Sequence, residues 1–325
     1  MSNAKYQVAG IGNAIVDVLA NVEDAFLETE GLNKGAMQLI DADQAKALYA
    51  NIPPAMEASG GSAANTVADL ASLGGTGSFM GKVRDDQLGE IFSHDLKAIG
   101  VEFSTEPATT GPETARCIVL VTNDGERTLN TYLGACVAFG PDDVNTDIIA
   151  DSQVTYLEGY LFDPPAAKEA FFKAADAAHA AGRQVSLSLS DPFCVDRYRD
   201  EFRTFVKDHV DILCANEDEI ISLYQTSSFD DAANAVRENC AVSALTRGAK
   251  GSVVVAGADT VAVPAAAVDR VVDTTGAGDA YAAGFLFGLT SGRDHAECAR
   301  LGGIAAAEII SHFGARPETE LKTLI

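Results

Sequence analysis

Basic residues are scarce in this chain. Across 325 residues, 23 Lys and Arg stand against 47 Asp and Glu, a formal net charge of −24. A surface of that sign repels phosphate backbones and anionic lipid at long range, which argues against nucleic acid and membrane surfaces as partners. A small anionic substrate stays open, because a local site can oppose the overall field. No apolar run approaches the roughly 18 residues of a membrane span. Met1–Ala4 lacks the charged and apolar regions of a secretory leader, so a cytoplasmic protein is expected. The six cysteines form no CxxC pair, and neither they nor the five histidines stand at metal-ligand spacing. Reduced thiols are therefore expected rather than a disulfide framework. A GxxxxGK[ST] loop is missing, as is GxGxxG after the first strand, which argues against a Walker-type kinase and a Rossmann dehydrogenase.

What remains is an ordinary globular composition, 47% apolar and 22% charged, long enough for a sizeable core. Strand-like runs at Tyr6–Ile11, Gly77–Val83, Val154–Leu157, Val185–Leu189, Ile212–Cys214, Val242–Thr246 and Ser252–Ala256 alternate with segments of helical period. The helical segments are Ser62–Leu73, Gln87–Ile99, Ala166–Ala181, Arg199–Val206, Glu217–Tyr224 and Asp231–Glu238. This alternation predicts an α/β fold with a mostly parallel central sheet and helices on both faces. Two stretches break the rhythm. Ile15–Val22 with Ala36–Ile40, and Arg116–Thr122 with Arg127–Tyr132, read as strand pairs without intervening helices. Asn123-Asp124-Gly125 joins the second pair, a hairpin signal. The expected arrangement is one domain over residues 1–325, carrying a small antiparallel β lid made from about 13–41 and 113–134.

Two glycine-bearing segments can carry chemistry. In Asp273-Thr274-Thr275-Gly276-Ala277-Gly278-Asp279, a Gly-rich turn enters a helix. The N–H groups of Gly276, Ala277 and Gly278 converge there at the positive end of the helix dipole, suited to a phosphoryl group in transit. Asp279, in the first turn, is placed to take a proton from an attacking hydroxyl. In Ser59-Gly60-Gly61-Ser62-Ala63-Ala64-Asn65, Gly60 and Gly61 allow backbone to approach a ligand. Asn65, one turn further, can both donate to and accept from a polyol.

In this order, about 200 residues apart, the two segments resemble the signatures of the PfkB family of ribokinase-like sugar and nucleoside kinases. The resemblance implies an ATP- and Mg²⁺-dependent phosphotransferase. It implies that Asn216 and Glu219 of Asn216-Glu217-Asp218-Glu219 organise magnesium through water and the nucleotide phosphates, with Glu217 and Asp218 solvated. Thr246, Gly248 and Gly251 would form the nucleotide loop, and Asn13 and Asp17 would hold the acceptor's sugar hydroxyls. Several strings look more like the adenosine kinase branch. On that likeness Gln38 reaches toward a nucleoside, and Leu129 and Phe193 sandwich its base. K⁺ near Asp273 and Thr275, a lid that closes over the acceptor, and a homodimer are further implications. Adenosine is the leading acceptor, phosphorylated on its 5′-hydroxyl. A free sugar such as ribose or fructose is the alternative, and a non-catalytic nucleoside-binding protein of the same fold the second.

Overall fold

Short apolar runs bounded by Gly, Asn and Asp become strands, and the amphipathic segments between them become helices. The computed structural model describes residues 4–325; residues 1–3, part of the segment read above for a leader, lie outside the described residues. The chain begins with β1 (Tyr6–Ile11), β2 (Ile15–Asn21), α1 (Asp24–Glu30), β3 (Met37–Leu39), α2 (Ala42–Asn51) and β4 (Met56–Gly60). Next come α3 (Ser62–Ser72), β5 (Gly77–Met80), α4 (Gln87–Ala98) and β6 (Glu102–Phe103). A hairpin of β7 (Ala115–Val121) and β8 (Arg127–Tyr132) precedes α5 (Thr146–Ala150) and β9 (Ser152–Glu158). The alternation continues through α6 (Pro165–Ala180), β10 (Gln184–Ser188), α7 (Pro192–His209), β11 (Ile212–Asn216), α8 (Glu217–Tyr224), α9 (Phe229–Arg237) and β12 (Val242–Thr246). The hairpin β13 (Ser252–Ala256) and β14 (Asp259–Val263) and the helices α10 (Ala277–Thr290) and α11 (His295–Ile309) complete it. Side chains that accept first-turn N–H groups start several helices: Asp86 for α4, Ser228 for α9 and Asp294 for α11.

The large sheet has the order β14-β13-β12-β11-β10-β9-β1-β5-β6. It is parallel from β12 through β6 and antiparallel only in β12–β13–β14. Its central strands are buried on both faces, as in a doubly covered parallel sheet, with Ser78, Thr155, Ser186 and Ser243 buried among the apolar residues. One face packs on α6 and α7, where Phe162 stacks on Phe202 with centroids 4.3 Å apart. The other packs on α3, α4 and α10, with Phe79, Phe92 and Phe103 in mutual contact.

The small sheet differs from the antiparallel pairing expected. Its order is β3-β8-β7-β2-β4, and its strand directions are mixed. β2 pairs antiparallel with β4 and parallel with β7, β7 antiparallel with β8, and β8 parallel with β3. The hairpin at Asn123-Asp124-Gly125 forms. The other expected pair does not, because α1 intervenes, ended by Gly31 at φ 67°, and carries β3 to the opposite edge of the sheet. β4, just before the Gly60-Gly61 turn, joins as the other edge strand.

Candidate active site

The carboxyl ends of β1, β9, β10, β11 and β12 share one edge of the large sheet, and with the small sheet they enclose a cavity of 1420 Å³. Parallel sheets bind ligands at that edge, where the strand order reverses. Here the reversal falls between β1 and β9. A hydrogen bond spans it: Asn13 Nδ2 donates to Glu158 Oε1 at 2.7 Å. Glu158 Oε2 also accepts the Ala63 N–H at 2.8 Å, so this carboxyl ties the end of β1 to the start of α3. Burial pushes its pKa up to about 7 against those bonds.

Asp279 lies in the first turn of α10 and lines the cavity. Ser62 Oγ donates to its Oδ1 at 2.5 Å, and Asn65 Nδ2 to its Oδ2 at 3.2 Å. The two glycine-bearing segments therefore meet at this carboxylate. Burial raises its pKa to about 6, opposed by the Ser62 and Asn65 bonds and by Arg316. Gly276 adopts φ 80°, open to glycine at little strain, and turns the chain into the helix. Ala277 departs from the expected cradle of three: its N–H already donates to Thr274 O at 3.2 Å. The N–H groups of Gly276 and Gly278 are left for an anion.

Asp17 projects from β2 into the same cavity, against the backbone of Gly60. A Cβ at Gly60 would come within 2.3 Å of the Asp17 carboxylate, so a side chain there would displace that carboxylate. Gly61, at φ 94°, then caps α3. Burial pushes Asp17 up to about 6, opposed by Arg316 and Arg127. Asn65 keeps a buried Oδ1 with no partner, an acceptor suited to a hydroxyl. Asn13, Asp17, Asn65, Asp279 and Glu158 thus share one wall. Sequence reasoning missed Glu158, although its place at the carboxyl end of a strand was a usable signal.

On the far side, Asn216 and Glu219 form a reciprocal cap on α8. Glu219 N–H donates to Asn216 Oδ1 at 2.9 Å, while Asn216 N–H and Nδ2 donate to the two oxygens of Glu219 at 2.9 and 2.7 Å. Both residues line the cavity with Thr246. Glu219 is pushed up to about 7 by burial. Glu217 is not solvated as expected, since it pairs with Arg247 at 2.8 Å and Lys250 at 3.1 Å. Gly248 and Gly251 turn the chain between β12 and β13 and do not line the cavity.

No cluster of three or more His, Cys, Asp or Glu able to cage a metal exists among the described residues. Glu219 alone suits Mg²⁺, which keeps several waters and takes few protein carboxylates. Potassium at Asp273 does not fit. Asp273 Oδ1 accepts Thr275 N–H and Oγ1, and its Oδ2 receives Arg127 at 2.8 Å and Gly314 N–H at 3.1 Å, so the carboxylate's lone pairs are taken.

The small sheet presents alternate residues to the cavity. One row across it reads Ala58, Asp17, Cys117, Thr131 and Leu39; the next reads Met56, Leu19, Val119, Leu129 and Met37. The second row is wholly apolar and lies about 7 Å further along the strands. Gln38 falls between Met37 and Leu39 and faces away, where it bonds Asn130 at 2.8 Å, contrary to the expectation that it reaches the acceptor. Phe193 lines the cavity from α7 but is 79% exposed.

A ribokinase-like α/β fold with a carboxylate beside a helix N-terminus defines a phosphotransferase with an alcohol group as acceptor. The chain belongs to the pfkB family of carbohydrate kinases, whose family model matches residues 43–322. Adenosine kinase from Sinorhizobium meliloti is 55% identical, with a TM-score of 0.91 over 99% of this chain and 98% of that one. A probable sugar kinase from Rhizobium etli is 49% identical, with the same TM-score, over 99% and 98%. Adenosine kinase from Saccharomyces cerevisiae is 28% identical over 94% of each chain. Membership implies ATP as co-substrate and a small nucleoside or sugar as acceptor. None of the described helices is long and apolar enough to cross a membrane.

The raised carboxyl of Asp17 has a consequence for stability. Its folded pKa lies above its unfolded one, so its contribution is fully present below about pH 4 and lost as pH rises through about 6. Asp17→Asn removes this loss and breaks no hydrogen bond among the described residues. Urea unfolding at pH 5 and pH 8 is expected to show the variant more stable at pH 8 by on the order of 1–3 kcal/mol, with a flatter pH dependence. Equal pH slopes would contradict a buried Asp17 carboxylate.

Proposed function

We propose that this protein transfers the γ-phosphoryl group of ATP to the 5′-hydroxyl of a nucleoside, with adenosine the preferred acceptor. The observation that carries the choice of acceptor is the pair of rows on the small sheet. Asp17 stands in a row with hydroxyl and thiol neighbours, suited to a ribose diol. The next row, Met56 to Met37, offers only apolar surface, which a free pentose would leave unfilled. A purine beyond the ribose would cover it, and Phe193 would stack from the opposite side. The adenosine kinase relatives support this reading, and the probable sugar kinase keeps ribose and fructose as its rival.

In the reaction, Asp279 takes the proton of the attacking hydroxyl, and its pKa near 6 leaves it ionised at neutral pH. Ser62 and Asn65 orient it. The N–H groups of Gly276 and Gly278 stabilise charge on the transferring phosphoryl group. Asn216, Glu219 and Thr246 face the nucleotide. Glu219 would hold Mg²⁺ through water, and the ion would supply positive charge against the nucleotide phosphates. The small sheet acts as a lid, and the Arg127–Asp273 ion pair ties it to the phosphoryl-binding turn. The six cysteines, all buried and unpaired, accord with a cytoplasmic location.

Two variants test these assignments. Because Phe193 is mostly exposed, Phe193→Ala should leave stability unchanged. It should lower kcat/KM for adenosine roughly 5- to 150-fold, the worth of about 1–3 kcal/mol of lost apolar and aromatic contact. Ribose should be phosphorylated nearly as before; wild-type enzyme that prefers ribose or fructose would overturn the nucleoside reading. Glu219→Gln keeps a side chain able to cap α8 but loses the charge. The Mg²⁺ concentration for half-maximal activity should rise about 10-fold; an unchanged titration would leave Glu219 as a helix cap only.

A further inference from the structure

The segment after α11 carries Gly314-Ala315-Arg316, a tripeptide that touches both halves of the site. Gly314 N–H donates to Asp273 Oδ2 at 3.1 Å. Ala315 packs so closely on Gly276 that a Cβ there would come within 2.6 Å of the Ala315 methyl. Arg316 then crosses to the other motif. Its Nε and Nη2 donate to Ser59 O at 3.3 and 3.1 Å, its Nη2 to Ser59 Oγ at 3.2 Å, and its Nη1 to Ala64 O at 3.2 Å. The guanidinium so brackets the Gly60-Gly61 turn and the first turn of α3, which carries Ser62 and Asn65.

Every acceptor that Arg316 bonds is neutral. A half-buried guanidinium without a bonded carboxylate is costly unless anions stand near it. Four acids face it through space: Asp17 on β2, Asp69 on α3, Asp279 on α10 and Asp95 on α4. Asp69 is fully buried, neither of its oxygens has a hydrogen-bond partner among the described residues, and burial pushes its carboxyl well above its ordinary value. Asp95 Oδ2 accepts Ser59 N–H at 2.9 Å. Asp17 and Asp279 repel each other, and Glu158 and Glu219 also sense the charge of Asp279. Two carboxylates in one buried volume share a proton unless a cation intervenes. Arg127, the other cation near Asp17, is already paired with Asp273.

We propose that Arg316 is a positioning residue: it clamps the turn that presents Ser62 and Asn65, and its charge lets Asp17 and Asp279 be anionic at the same time. The inference rests on phosphotransfer by Asp279, and its test separates the two. Arg316→Gln keeps a polar side chain at the turn and removes the charge. The acidic limb of kcat against pH, expected near 6 in the wild type, should move up by about one pH unit in this variant, because a base without its cation holds its proton more tightly. At pH 6 kcat should fall about 5-fold, with the loss recovered at pH 8 to 9. Arg316→Lys keeps the charge and loses the planar fork, so its limb should stay at the wild-type position while its melting temperature falls. A uniform loss in Arg316→Gln with an unmoved limb, or a limb in Arg316→Lys displaced as far as in Arg316→Gln, would overturn the proposal. Wild-type protein supplies a readout that needs neither turnover nor a variant that folds poorly. Carboxyl ¹³C titration, assigned with Asp17→Asn and Asp279→Asn, should show both carboxyls ionised by about pH 7. One of them still protonated at pH 8 would contradict the inference without bearing on which acceptor is used.

Discussion

Asp279 sits where burial disfavours a carboxylate, and Ser62 and Asn65, more than 200 residues earlier in the chain, hold its two oxygens. That contact requires α3 and α10 to pack side by side with their N-termini at the same edge of the large sheet. The glycine-led entry to each helix follows from it. Gly61 and Gly276 both adopt positive φ, and each leaves backbone exposed beside the carboxylate rather than a side chain in the way. Move either helix and the base, the anion cradle and the acceptor wall separate.

The electrostatic character of the site grows out of the same crowding. Asp17, Glu158, Glu219 and Asp279 all border one cavity, and burial raises each of them. The protein tolerates this by giving most of these acids donors: Asn13 and Ala63 for Glu158, Asn216 for Glu219, Ser62 and Asn65 for Asp279. Asp17 has none among the described residues, which suits the acceptor contact proposed for it. Such concentrations of perturbed acids mark functional sites and are held there at a cost in stability.

Much of the large sheet was legible because its signals are local. The apolar runs from Tyr6 to Ile11 and from Val242 to Thr246 have strand length, and their turn residues bound them. The run from Asp273 to Asp279 was legible for another reason: its glycines and acid act within two turns of chain. The small sheet was less so. Pairing between β2 and β7, or β3 and β8, depends on segments about 90 to 100 residues apart, and no local period reports it. Gln38 was misplaced for the related reason that a three-residue strand gives too little alternation to fix its face. Arg316 lies in an irregular segment whose only cue is a guanidinium in Gly-Ala-Arg-Pro, and nothing local says that its acceptors are Ser59 and Ala64. Potassium at Asp273 failed because Arg127, from the small sheet, reaches the carboxylate first.

Proton transfer to Asp279 is the step on which the whole account turns. Its most direct measurement is the steady-state kcat of Asp279→Asn with ATP, Mg²⁺ and adenosine, set beside the adenosine dissociation constant of the same variant. The amide keeps the size of the side chain and its place in α10 but accepts no proton. The account predicts a fall in kcat of about 10²- to 10⁴-fold with adenosine binding changed far less. A variant that turns over at the wild-type rate would contradict it.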